Sequence, residues 1–271
     1  MKKNFNLFKP SKKFGQNFLI DKIVISNIVD NLNPKSGEVL LEIGPGFGSL
    51  TFPILKRIDK LYAVEIDKNL SEKLKNFFSP EKLTIFSENI IKFNFLKFYK
   101  KKAKRIRIFG NLPYNISVFL MIKLLKFSYL IEDMHFMFQK EVADRIQANP
   151  SEKSYGKLSI IIQYFFKVTL LLDISKESFS PIPKVNSSFI RLQPHVCSPY
   201  HVKDITMLSY VTNVAFSQRR KIVKHSLSKL FSEKKLCDLG INPLLRAENI
   251  SISEYCRLTE YLVKKNFLIP K

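Results

Sequence analysis

The chain has 271 residues and a formal net charge of +22, from 45 lysines and arginines against 23 acids, and 45% of it is hydrophobic. That apolar share supports one large domain or two smaller ones. No run of about 18 apolar residues suggests a membrane span, and the first residues lack the apolar stretch of a secretory leader. Cys197, Cys237 and Cys256 are odd in number and widely spaced. Neither a disulfide framework nor a metal knuckle is expected of them, and a reducing cytoplasm fits.

The first twenty residues hold five lysines and no acid. Within them, Lys13–Asp21 combines two aromatics, a glycine and two amides in a short basic arm, suited to closing over a ligand, with a frayed terminus as the alternative. The apolar spacing of Ile20–Leu32 predicts a helix. Glu38–Ile43 reads as a strand and runs into Gly44-Pro45-Gly46-Phe47-Gly48, ahead of a predicted helix. Three glycines there let a ligand approach the backbone at the carboxyl edge of a sheet. The next strand, Leu61–Ile66, carries Glu65, a carboxylate placed to bridge the two hydroxyls of a ribose. This G-x-G-x-G, preceded by Glu42, resembles the loop of S-adenosyl-methionine-dependent methyltransferases more than the G-x-G-x-x-G of nicotinamide sites. A merely tight strand–helix turn is the bland reading.

Asn69–Phe78 is a predicted helix and Leu83–Phe86 a third strand, followed by Glu88 and Asn89. Asn89 suits a bond to an adenine amine; a polar turn residue is the alternative. Lys97–Arg107 holds seven cations and no acid. Arg105–Phe109 is a fourth strand and leads into Asn111-Leu112-Pro113-Tyr114. Asn111 offers a side-chain carbonyl, Leu112 and Pro113 offer backbone carbonyls, and Tyr114 offers a flat face for a base. An exocyclic amine of adenine is a poor nucleophile, and an enzyme that alkylates it must hold it by such acceptors. A proline turn closing a buried strand is the competing reading.

Val118–Phe127 is then a helix and Met134–Phe138 a strand. Lys157–Phe166 is compatible with helix or strand. Thr169–Ile174 and Ser187–Leu192 are two more strands around a proline-bearing loop. Gln193–Tyr200 reads as a linker. Helices follow at Ile205–Phe216 and Arg220–Phe231, and a last one opens with the capping box Ser251-Ile252-Ser253-Glu254. Strands alternating with helices predict an α/β fold with a parallel sheet covered on both faces. The expected division is 1–195, an α/β domain with the basic arm, and 196–271, a small helical domain. Arg219–Lys235 holds seven cations against Glu233. Three basic runs on a chain of this charge point to RNA or DNA, and Arg219, Arg220, Lys221 and Lys224 are the expected phosphate-gripping cations. His135, His195, His201 and His225 lie outside the motifs and read as structural or surface groups.

Taken together, Phe14–Asp21, the glycine loop, Asn111–Tyr114, Tyr155–Ser159, Phe179–Ser187 and Ala215–Lys221 closely resemble the small-subunit ribosomal RNA adenine dimethyltransferases, from about Phe14 to the last helix. The resemblance implies a Rossmann-like methyltransferase domain followed by a helical RNA-binding domain. It implies transfer of two methyl groups from S-adenosyl-methionine to N6 of each of two adjacent adenosines near the 3′ end of small-subunit (16S) rRNA. The implied cofactor positions are Asn17, Leu19, Gly44, Glu65, Asn89 and Asn111. The family usually has Asp where this chain has Asn89. The implied catalytic positions are Asn111, Leu112, Pro113 and Tyr114, with Phe179 as a second aromatic wall and no metal. The implied partner is the immature small ribosomal subunit, met by a monomer in the cytoplasm. A large-subunit methylating relative, an assembly factor that binds RNA without needing chemistry, and a nicotinamide dehydrogenase are the rival readings.

Overall fold

The computed structural model describes residues 16–270; residues 1–15 of the predicted basic arm lie outside that range. Two compact units divide the chain. One comprises residues up to Ala143 together with Val168–Pro194, the other Asp144–Lys167 together with His195 onward. The division after Pro194 falls one residue from the expected boundary. Residues 144–167, expected in the first domain, group with the second unit.

The first unit contains, in chain order, β1 (Phe18–Leu19), α1 (Lys22–Leu32), β2 (Val39–Ile43), α2 (Thr51–Ile54), β3 (Leu61–Val64), α3 (Lys68–Phe77) and β4 (Leu83–Phe86). It continues through α4 (Phe95–Lys102), β5 (Ile106–Asn111), α5 (Tyr114–Leu125), β6 (Ile131–Gln139) and α6 (Lys140–Gln147), the last running into the second unit. After α7 (Lys157–Phe165) of the second unit come β7 (Phe166–Ile174), β8 (Phe179–Ser180) and β9 (Ser187–Pro194). The main sheet has seven strands in the order β4-β3-β2-β5-β6-β9-β7. β2 to β6 pair in parallel and β9 runs antiparallel to β6. β2 is buried at all five positions, as a central parallel strand must be. The chain leaves β2 for β3 and β4 on one side, then returns to β5 on the other. That reversal opens a crevice at the carboxyl ends of β2 and β5, where open α/β sheets bind ligands.

Local chemistry explains the elements. Asp21 caps α1 by accepting from the Ile23 and Val24 N–H groups, and Asp67 caps α3 in the same way through Asn69 and Leu70. Helix α5 starts four residues earlier than its periodicity predicts, because Pro113, at φ −55°, is preset to enter it. β5 likewise runs past Phe109 to Asn111, which places the end of the strand and the start of the helix on either side of Leu112-Pro113. Beneath the sheet, Arg107 bonds Asp133 at 2.9 and 3.1 Å and Glu38 at 2.8 Å, while Arg191 reaches the same Asp133 at 2.8 Å. Two guanidiniums hold the Asp133 carboxyl below its ordinary range despite burial. Beside it, burial pushes the His135 imidazole down to about 4, so this histidine is neutral and structural.

Gly110 fixes the spacing of the two central strands. A methyl group on it would run into the backbone carbonyl of Ile43 on β2. Gly110→Ala is therefore expected to lower stability by about 1–3 kcal/mol, the usual cost of overpacking, and to displace Asn111 at the same time. Denaturant melts beside a turnover assay check it. Wild-type stability would mean that β5 yields at no cost.

In the second unit, the segment 157–165 that fits either pattern is a helix, because Ser159 Oγ accepts the Gly156 N–H at 3.0 Å and caps its start. It packs on α8 (Ile205–Ser217), followed by α9 (Val223–Ser226), α10 (Glu233–Asp238) and α11 (Ile252–Lys264). The predicted capping box is formed: Glu254 Oε2 accepts from Ser251 N at 2.8 Å and Ser251 Oγ from Glu254 N at 3.3 Å. The core is Met207, Leu208, Val211 and Ala215 of α8 with Tyr255, Leu258 and Leu262 of α11. Tyr155 is fully buried and donates to the Ile250 carbonyl at 3.1 Å. The long helix expected over Arg220–Phe231 is not formed. Residues 218–221 are a turn, and only Val223–Ser226 is helical. Ile222 instead bridges Arg246 in an isolated antiparallel pair, which interrupts the helix.

Candidate active site

A cleft of about 270 Å³ opens at the crevice described above, lined by Asn17, Leu19, Gly44, Glu65, Asn89, Asn111, Leu112, Pro113 and Tyr114 among others. It unites all the expected cofactor positions with the Asn111–Tyr114 turn, although they come from five separate parts of the chain. Gly44, Gly46 and Gly48 all have positive φ, between 58° and 83°, which only glycine adopts without strain. One carboxylate braces the loop. Glu65 Oε2 accepts from Gly46 N and its Oε1 from Asp67 N, both at 3.0 Å. Burial raises the Glu65 carboxyl above its ordinary value, and these two N–H groups pull it back.

Glu42, at the end of β2, accepts the Thr51 hydroxyl at 2.6 Å. Burial pushes its carboxyl up to about 8, opposed by Thr51 and helped by repulsion from Glu65. The folded protein thus holds a proton that the unfolded chain, with an ordinary value of 4.5, releases. The stability it contributes is fully present below pH 4.5 and is lost as pH rises to about 8. The slope is about −1.4 kcal/mol per pH unit. Glu42→Gln is expected to remove that slope. The difference between wild-type and variant denaturant midpoints at pH 5, 7 and 8.5 isolates it from other groups, and a constant difference would exclude a neutral Glu42.

Asn111 closes the opposite side of the cleft. Its Nδ2 donates to the Asn17 carbonyl at 2.8 Å. Only the nitrogen end of the amide can serve a carbonyl, so this bond fixes which end of the side chain is which and leaves Oδ1 as an acceptor. Tyr114 is half-buried, and its hydroxyl meets Ser187 Oγ at 2.7 Å. Burial raises its phenol above the ordinary value, opposed by Ser187. The Pro113 carbonyl accepts from Ile116 N at 3.1 Å in the first turn of α5. Asn89 lines the cleft, but its Oδ1 already accepts the Ile91 N–H at 2.9 Å, leaving one lone pair and the amide protons for a ligand.

Two expected roles meet a different arrangement. Phe179, read as a second aromatic wall, does not line the cleft; it is 1% exposed and sits in the apolar core with Leu19 and Phe189. Its backbone serves instead: β8 pairs with β1 so that Leu19 lies opposite Phe179 and Phe18 opposite Ser180. Arg219, read as a phosphate-gripping cation, bonds Glu248 at 3.0 Å and also reaches the carbonyls of Lys153 and Tyr155. It ties parts of the second unit together. Lys224 lies 3.4 Å from Glu233, and Arg220 and Lys221 are exposed in the turn.

The segment 16–21 is more than an arm. Phe18 packs edge-on against Phe47 of the glycine loop, with centroids 4.7 Å apart, and the Leu19 carbonyl accepts from Ser49 Oγ at 2.7 Å. The Ile20 N–H donates to the Ser178 carbonyl at 2.9 Å. One strap therefore touches the glycine loop, Asn111 and the segment before β8. Sequence reading offered this segment as an arm suited to closing over a ligand but missed its pairing with β8, because two-residue strands carry no periodicity.

The model of the family described as ribosomal RNA adenine dimethylase matches residues 7–264. A protein of Buchnera aphidicola subsp. Acyrthosiphon pisum named ribosomal RNA small subunit methyltransferase A is 52% identical over 98% of this chain and 97% of its own length. An Escherichia coli protein of the same name is 46% identical over 95% of this chain and 94% of its own. Among solved structures, a dimethyladenosine transferase from Plasmodium falciparum superposes with a TM-score of 0.78 at 26% identity, covering 92% of this chain and 98% of the other. With its glycine loop and its Asn-Leu-Pro-Tyr turn brought to one cleft, this chain belongs to the ribosomal RNA adenine dimethylase family.

Proposed function

We propose that the protein transfers methyl groups from S-adenosyl-methionine to N6 of two adjacent adenosines near the 3′ end of small-subunit rRNA, acting as a monomer on immature subunits in the cytoplasm. The observation that carries this is the Asn111 amide, held by the Asn17 carbonyl so that its Oδ1 is an acceptor at the mouth of a glycine-lined cleft. The cleft suits the cofactor: the glycines admit close backbone approach, and Glu65 retains lone pairs for ribose hydroxyls. Asn89 serves the adenine of the cofactor through its remaining capacity.

S-adenosyl-methionine, when bound, supplies an electrophilic methyl group on a sulfonium leaving group. The chain's own residues do the rest. Asn111 Oδ1 and the Leu112 carbonyl accept hydrogen bonds from the amine N–H groups and turn the nitrogen lone pair out of the ring. Pro113 stiffens the turn that aims them, and Tyr114 stacks on the base. Alignment of amine and methyl is mainly a proximity contribution, and the methylated nitrogen releases its proton to water. The target base must be unstacked to enter.

Incubation of unmethylated small subunits with labelled cofactor, followed by mapping of the modified bases, tests the reading. Dimethyladenosine at two adjacent sites in small-subunit rRNA is expected. Label elsewhere in that RNA, or none, would overturn it. For the RNA grip, Arg220→Ala with Lys221→Ala is the informative pair, since Arg219 holds the fold. For every phosphate that the variant no longer grips, the log–log salt dependence of RNA binding should flatten by about 0.7–0.9. An unchanged slope would move the RNA-gripping surface elsewhere, first to Lys97–Arg107.

A further inference from the structure

Among the described residues, helix α5 leaves the Asn111–Tyr114 turn with one face unpartnered. Ser117, Leu120, Met121, Leu124 and Leu125 are buried beneath it. The opposite face carries Asn115, Phe119, Ile122 and Lys126, at spacings of four, three and four residues, which an α-helix lines up as a single stripe. Phe119 is 61% exposed and Ile122 40%. Single apolar residues on a surface need no explanation, but this stripe has direction. It starts at Asn115, which lines the cleft, and ends at the exposed Lys126. The other lysine of the last turn, Lys123, is turned away to the Ile91 carbonyl.

We propose that this stripe is the platform for the RNA strand flanking the target adenosine, with Phe119 stacking on a neighbouring base. The proposal rests on the methyltransferase reading of the cleft. An aromatic between a cleft and a cation is the arrangement by which proteins hold single-stranded nucleic acid: the ring takes a base and the ammonium a phosphate. Phe119 lies five residues beyond Tyr114, about 7.5 Å along the helix axis. That is within reach of about one or two nucleotides of a strand whose target base is unstacked. A strand whose target base rests on Tyr114 reaches the ring with its next bases. The chain's +22 charge favours a polyanion over a second, equally cationic copy of itself on this face.

The chain contains no tryptophan, so Phe119→Trp introduces a sole indole reporter at the proposed stacking position. Titration with the unmethylated 3′-terminal RNA segment of the small subunit should quench its emission. Phe119→Ala should raise the KM for that RNA about tenfold. Its kcat and its affinity for S-adenosyl-methionine should stay at wild-type values, and Phe119→Tyr should restore the KM. Emission unmoved at RNA concentrations that saturate binding, or a wild-type KM in Phe119→Ala, would overturn the proposal. So would concentration-dependent self-association in wild type that Phe119→Ala abolishes, which gives the face to a second copy. Loss of the methyltransferase reading looks different: wild type itself then fails to methylate the RNA, while the emission titration still decides whether a base stacks on this ring.

Discussion

Asn111→Ala is expected to slow single-turnover methyl transfer at saturating cofactor by about a hundredfold or more, the worth of a comparable positioned acceptor. Association with the small subunit should stay nearly unchanged. One neutral amide adds little to an interface dominated by cations, whereas the role proposed for its Oδ1 is to face the amine in the transition state. The Nδ2 bond to the Asn17 carbonyl disappears too, so cofactor affinity falls modestly and the assay must compensate for it. Asn111→Asp sharpens the test. It keeps an oxygen but has no N–H for the Asn17 carbonyl, and it should not restore the rate. A wild-type rate in Asn111→Ala would remove the residue from the chemistry. A parallel loss of subunit binding would make it a structural residue.

Glu65→Ala should weaken S-adenosyl-methionine binding by about 1.5–3 kcal/mol for each charged hydrogen bond to the ribose that it removes. The variant also frees the Gly46 and Asp67 N–H groups that the carboxylate now satisfies, so the glycine loop loses its brace. Glu65→Gln separates the effects, because its one carbonyl oxygen can keep only part of both. Calorimetry decides: unchanged affinity in Glu65→Ala would reject the ribose assignment. A lowered melting temperature with unchanged affinity would leave the carboxylate as a loop brace alone.

The sheet was legible because its strands are apolar throughout, as in β2, and because the glycine loop and the Asn-Leu-Pro-Tyr turn sit at strand ends, where function collects. The side-chain cluster of the cleft followed from those motifs. Three things were hidden for physical reasons. Gly110 fell just past the predicted end of its strand at Phe109 and drew no reading, since its constraint comes from a carbonyl on another strand. Phe179 looked like a site aromatic, but its contribution to the site region passes through its backbone, to which side-chain identity is blind. Arg219 looked like one of four equivalent cations, yet the partners that distinguish it are distant in sequence: Glu248, Lys153 and Tyr155.

The pairing of Leu19 with Phe179 also constrains how the enzyme comes into being. During synthesis the strap emerges before the main sheet, and β2 to β5 can assemble behind it as the chain lengthens. The strap has no strand to dock on until β8 has left the ribosome. A nascent chain that stops short of Phe179 therefore carries the glycine loop and Asn111 but lacks the pairing that holds the strap across them. The cleft becomes complete only late in translation. Long-range pairings of this kind form slowly in any chain, and here the delay keeps a half-made methyltransferase from presenting a finished site.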